Sequence, residues 1–191
     1  MPTRQFNAYS EKVVVYAGET FNWFATTAEV QNGAVSIQSS SWPLSTTTPY
    51  QLTSSNPTCP ASVPGSAAAP NAYTFTCTPA DPDVTTQTLI IARQYVTNFC
   101  SDVQVVAGDH FIWHNTTSLS ATIAPSTGNA NNWPLAQTDY DVAPGDWVEV
   151  KIPADAQPGE YTLNVTYSDG STPCDTKATQ PKISVSGGPL P

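Results

Sequence analysis

Ala17-Gly18-Glu19-Thr20-Phe21-Asn22-Trp23 is matched further along the chain by Ala107-Gly108-Asp109-His110-Phe111-Ile112-Trp113. In both stretches a Gly follows a small residue, as a turn requires, and an apolar-x-Trp pair follows, whose spacing of two puts both side chains on one face of a strand. Working outward, Arg4-Gln5-Phe6 returns as Arg93-Gln94-Tyr95, and Trp42-Pro43-Leu44 returns as Trp133-Pro134-Leu135. Three matches in one order, each displaced by about ninety residues, mark a tandem duplication. The unit is too long for a solenoid repeat, so the chain reads as two whole domains, residues 1–92 and 93–191.

Period-two alternation continues through both halves. Val13 and Val15, Val35 and Ile37, Tyr73 and Phe75, and Leu89 and Ile91 mark strands in the first half. Val103 and Val105, Ala121 and Ile123, Val148 and Val150, the run Tyr161, Leu163, Val165 and Tyr167, and Ile183 and Val185 mark them in the second. Turn clusters such as Gln31-Asn32-Gly33, Ala143-Pro144-Gly145 and Ser168-Asp169-Gly170 separate them, and no long window sustains helical periodicity. This pattern predicts an all-β protein of two tandem antiparallel β-sandwiches, with about seven strands per unit. No Gly/Ser tether lies near Ala92, so the last strand of one unit should run almost directly into the first strand of the next.

Composition narrows the classes of function. Charged residues are 11% of the chain, against roughly 25% for ordinary soluble proteins. Ser, Thr, Asn and Gln must therefore cover the surface, which suits an extracellular or cell-surface setting. The net charge of −9 repels nucleic acid. No apolar run is long enough to span a membrane, and no apolar stretch follows Met1 in the manner of a signal peptide. Four Cys are expected to form one disulfide per repeat, Cys59 with Cys77 and Cys100 with Cys174, although three pairings are possible and four free thiols are the alternative.

In the second repeat Val103 to Val106 leads into Ala107-Gly108-Asp109 and Phe111-x-Trp113, then Ala143-Pro144-Gly145 and Pro158-Gly159-Glu160-Tyr161. That order resembles the cupredoxins, the blue-copper sandwich family, and the first repeat follows it more loosely. Resemblance implies a cupredoxin-like or immunoglobulin-like sandwich and, in the family, a copper site of two His, a Cys and usually a Met. Here the family's first His position falls in Ala121-Thr122-Ile123, its Cys is replaced by Val165 or Thr166, and Cys77 of the first repeat has no following His. Copper binding and any other cofactor are therefore not expected.

His110 and His114 are the only imidazoles. Along a strand they lie about 13 Å apart, so a metal site would need help from an acid such as Asp109. Alternation places both opposite Phe111 and Trp113, which reads as two exposed or half-exposed rings. Trp23 and Trp113 read as core, while Trp42, Trp133 and Trp147 are candidate platforms for a sugar or a protein partner. Asn115-Thr116-Thr117 and Asn164-Val165-Thr166 fit the glycosylation sequon. No nucleophile and base are spaced for catalysis. The expected role is a non-catalytic extracellular or surface structural or adhesion module that self-associates or binds a surface partner. The alternatives are a carbohydrate-binding module built on the exposed Trp, or a cupredoxin-related metal or electron-transfer protein.

Overall fold

A computed structural model describes residues 3–39, 43–44, 49–84, 86–126, 135, 137–173 and 180–187. The chain divides into two compact units, Met1–Ala92 and Arg93–Pro191. The first holds β1 (Gln5–Asn7), β2 (Lys12–Tyr16), β3 (Thr20–Phe24), β4 (Val35–Gln38), β5 (Tyr50–Leu52), β6 (Thr58–Ser62), β7 (Asn71–Thr78) and β8 (Gln87–Ala92). The second repeats the series as β9 (Gln94–Val96), β10 (Val103–Val106), β11 (His110–His114), β12 (Ala121–Pro125), β13 (Tyr140–Val142), β14 (Trp147–Lys151), β15 (Gly159–Tyr167) and β16 (Lys182–Ser186). Arg93 alone separates β8 from β9.

Each unit is a β-sandwich of a three-stranded and a five-stranded sheet. The first has orders β1-β3-β6 and β2-β8-β7-β4-β5, and the second has β9-β11-β14 and β10-β16-β15-β12-β13. Strand for strand the two orders coincide, which is the structural form of the duplication. Both sheets are mixed: β1 runs parallel to β3, β2 to β8, β9 to β11 and β10 to β16, the other pairs being antiparallel. The parallel pairs arise because β1 and β2, adjacent in sequence, join opposite sheets, and each meets a partner further along the chain.

The alternating residues fill the space between the sheets. Phe21 and Trp23 of β3 meet edge-to-face at 5.2 Å, and Phe111 and Trp113 of β11 do the same at 4.8 Å. Val13, Val15, Leu89 and Ile91 close the first core from the other sheet, as Val103, Val105, Ile183 and Val185 close the second. Aromatic pairs of this geometry contribute about 0.5–1.5 kcal/mol beyond their burial.

Two differences from the sequence reading concern local chemistry. A single helical turn, α1 (Thr27–Val30), interrupts the first unit. It is held by a capping box in which Glu29 N–H donates to Thr26 Oγ1 and the Glu29 carboxylate accepts from Thr26 N–H. One turn is too short for periodicity to register, and the Thr-x-x-Glu spacing was its signal. The expected Cys59–Cys77 bridge is not formed: both are free thiols. Cys59 sits on β6 of the small sheet, whereas Cys77 sits on β7 of the large one and donates its S–H to Ala8 C=O at 2.9 Å. Cys100 is disulfide-bonded, and Cys174 lies outside the described residues.

Candidate functional site

The duplicated Gly-acid turn builds the same device twice. Gly18 and Gly108 adopt φ of 86° and 87°, a conformation that favours Gly. In unit one Gly18 N–H donates to Val63 C=O at 3.1 Å, and Val63 N–H donates to Glu19 C=O at 2.8 Å. Gly108, Ile152 and Asp109 repeat these bonds at the same distances. The acid after each Gly turns inward. Glu19 is 3% exposed and Asp109 2%. Glu19 accepts two bonds from the Arg4 guanidinium, at 2.7 and 2.5 Å, and one from Tyr16 N–H at 3.0 Å. Asp109 accepts from Arg93 and, at 2.9 Å, from Val106 N–H. Asp109 was the acid expected to assist a metal at the histidines; its carboxylate is instead held by the Arg93 ion pair.

β11, the middle strand of its sheet, is buried on both faces. Phe111 and Trp113 enter the core as alternation requires. His110 and His114 point the other way, yet they are 8% and 2% exposed, which corrects the expectation of exposed rings. The cause is cross-strand cover. His114 pairs in register with Trp147, and their rings stack 3.8 Å apart at 4°. Tyr95 of β9 stacks on Trp147 at 5.2 Å, and its hydroxyl is hydrogen-bonded to His114 Nδ1 at 2.5 Å. His110 Nδ1 meets Glu149 Oε1 of β14 at 2.8 Å. Each imidazole is thus engaged by its own neighbours, and among the described residues no group of three His, Cys, Asp or Glu is placed to hold a metal ion.

Trp147 is half-buried, with one ring face covered by His114. Trp42 and Trp133 lie outside the described residues. Trp23 and Trp113 are 0% and 1% exposed. Positions that the copper family would use are occupied by core: Ala121 and Val165 are buried. Burial pushes the Cys77 thiol up to about 11, against a smaller downward pull from the Gln87 side chain, so it stays protonated at neutral pH.

Of the two sequons, Asn115 is fully buried. Its Nδ2 donates to Leu119 C=O and Val142 C=O at 2.7 and 2.8 Å, and its Oδ1 accepts from Thr117 N–H and O–H. The amide that a glycan would need is consumed by the fold. Asn164 is exposed on β15.

Sequence reasoning missed the importance of Tyr95. It appeared only as the counterpart of Phe6, and a Phe-to-Tyr change between repeats was the available signal that this position had acquired a polar partner. A cleft of about 260 Å³ lies beside it, lined by Gln94, Tyr95, Val96, Thr97, Asn98, Ser101 and Asp102.

Neither a protein-family model nor a curated protein matches this chain. Among solved structures it is similar to a multicopper oxidase from Campylobacter jejuni, with 11% identity, 94% of this chain and 52% of that chain covered, and a TM-score of 0.33. It is similar also to a Cu-containing nitrite reductase from Thermus scotoductus, at 15% identity, 92% and 54% coverage and a TM-score of 0.30. A third is SGBP-B of the Bacteroides ovatus mixed-linkage glucan utilization locus, solved with a mixed-linkage heptasaccharide, at 12% identity, 94% and 46% coverage and a TM-score of 0.28. The chain spans about half the length of each of these three. The first two are copper proteins by description. Likenesses this faint leave the chain's chemistry to its own residues.

Proposed function

We propose that this chain is a non-catalytic structural or adhesion module of the extracellular space or cell surface, in which two copied β-sandwiches present weakly charged surfaces to neighbouring copies or a surface partner. One observation carries the reading. The buried ion pairs, Arg4 with Glu19 and Arg93 with Asp109, occupy equivalent places in both units and tie the residue just before the first strand of each to its Gly turn. Ionisable groups that a reactive site would expose are here engaged in holding the fold. The histidines are engaged in the same way, on Glu149, Tyr95 and Trp147.

Association by strand pairing would use β14, a five-residue edge without Pro whose first three residues are half-buried; the other such edge, β2, is buried from Val13 to Val15, β10 has four residues, β6 carries Pro60, which removes a donor, and β1, β5, β9 and β13 have three residues each. Sedimentation velocity across a concentration series tests the reading. Reversible growth in mass is expected, reduced when Lys151, an exposed residue of β14 whose register places its N–H on the side away from β11, is replaced by Pro. A chain that stays monomeric at its solubility limit and is not retained on cell-wall or matrix surfaces would overturn it.

A further inference from the structure

We infer that the second unit carries a monosaccharide-sized binding cleft, formed by Gln94, Tyr95, Thr97, Asn98, Ser101 and Asp102 at the mouth of the β9–β10 loop. It goes beyond the structural reading, which stands or falls separately. The cleft measures about 260 Å³, below the range of about 300–1,000 Å³ typical of sites for drug-sized ligands. That size suits one sugar ring rather than a chain of them.

The lining suits a neutral polyol. Register turns Gln94 and Val96 to one side of β9 and the Tyr95 ring to the other, against Trp147 and His114, so Tyr95 borders the cleft along the strand edge and the polar groups of its neighbours decide what a polyol meets there. Its hydroxyls both donate and accept, and they need partners of both kinds. The amides of Gln94 and Asn98 and the hydroxyls of Thr97 and Ser101 supply both, and Asp102 supplies acceptors. Among the described residues no Lys, Arg or His lines the cleft, and Asp102 makes it unfavourable to an anion.

These groups are positioned yet available. Asp102 Oδ1 accepts from Lys182 N–H at 3.0 Å, and Asn98 Oδ1 accepts from Cys100 N–H at 3.0 Å. Both bonds fix a side chain while leaving Asp102 Oδ2 and Asn98 Nδ2 without a partner among the described residues. The side chains of Gln94, Thr97 and Ser101 make no hydrogen bond to the described residues either.

The first unit shows that the scaffold does not require this cleft. Its β1–β2 loop spans residues 8–11, against residues 97–102 between β9 and β10. There Ala8 is buried, its carbonyl accepts from Cys77 and Gln87, and the Tyr9 hydroxyl donates to Pro79 C=O. The shorter loop is folded onto its own sandwich. The longer one leaves its polar groups facing an opening.

The test is heteronuclear NMR of the whole chain titrated with methyl β-D-glucopyranoside, methyl β-D-galactopyranoside and methyl α-D-mannopyranoside, with choline as a cationic probe of similar size. At least one glycoside is expected to shift the amides of residues 94–102, saturably, with Kd of about 1–10 mM. Gln94→Ala and Thr97→Ala, the latter on an exposed residue, should each weaken binding about fivefold or more with the melting temperature unchanged. The assignment is overturned if no glycoside shifts these amides at about 50 mM, if the shifts fall on other residues, or if choline shifts the cleft at equal or lower concentration. None of those results changes the sedimentation behaviour on which the structural reading is judged.

Discussion

Glu19 and Asp109 differ by a methylene and do the same work: each accepts a guanidinium and a backbone N–H while almost wholly buried. Removing one partner strands a charge out of water, which costs about 3–5 kcal/mol. Arg4→Ala and Arg93→Ala are each expected to lower stability by that order in urea denaturation, whereas Lys182→Ala, whose pair with Glu160 is exposed, should leave the midpoint nearly where it was. An equal loss at all three positions would show that the buried pairs carry no special role. A second residue-scale effect is alkaline. The unfolded Cys77 thiol ionises near 9.0, and the folded one holds its proton to about 11. Unfolding therefore releases a proton across that window, and stability falls as pH rises through it, by about 1–2 kcal/mol after allowance for solvent screening. Melting curves between those pH values check this, and Cys77→Ala should flatten the decline.

At the scale of elements, the Gly turns decide how each β2–β3 and β10–β11 connection is made. Gly108 at φ 87° has open space where a Cβ would go, so Gly108→Ala isolates the cost of the backbone conformation. A loss of about 1–2 kcal/mol is expected from chemical denaturation, and a similar loss for Gly18→Ala, whose added Cβ meets Gly65 Cα at an ordinary 3.9 Å. The strands themselves were legible because Phe21 and Trp23, or Val35 and Ile37, alternate with residues that are not buried. β11 shows where that reasoning stops. Alternation correctly separates His110 and His114 from the core face, but solvent exposure of the opposite face depends on what β9 and β14 lay across it. Tyr95, Trp147 and Glu149 are distant in sequence, and no local pattern announces that they close over β11. Cys59 and Cys77 make the same point: spacing suggested a bridge, whereas in the fold the Cys77 thiol is turned to Ala8 C=O and the Gln87 amide.

At the scale of the molecule, each unit has its own apolar cluster, one built around Trp23 and the other around Trp113. A fragment of residues 93–191 is therefore expected to fold alone, with a cooperative thermal transition and dispersed amide resonances; a molten fragment would show that the second core is incomplete by itself. The amino-acid sequence alone determined the duplication, the all-β class and the alternating core, because periodicity and turn chemistry act over a few residues and are written twice in the same order. Tertiary structure alone decided which polar groups were consumed and which were left open. Asp109 went to Arg93, Asn115 to its own loop, and His114 to Tyr95 and Trp147, while the loop after β9 kept unpaired amides and hydroxyls around a cleft. The physical reason is that hydrogen-bond satisfaction and burial are set by neighbours across a sheet, which strand order and register bring together from far apart in the chain.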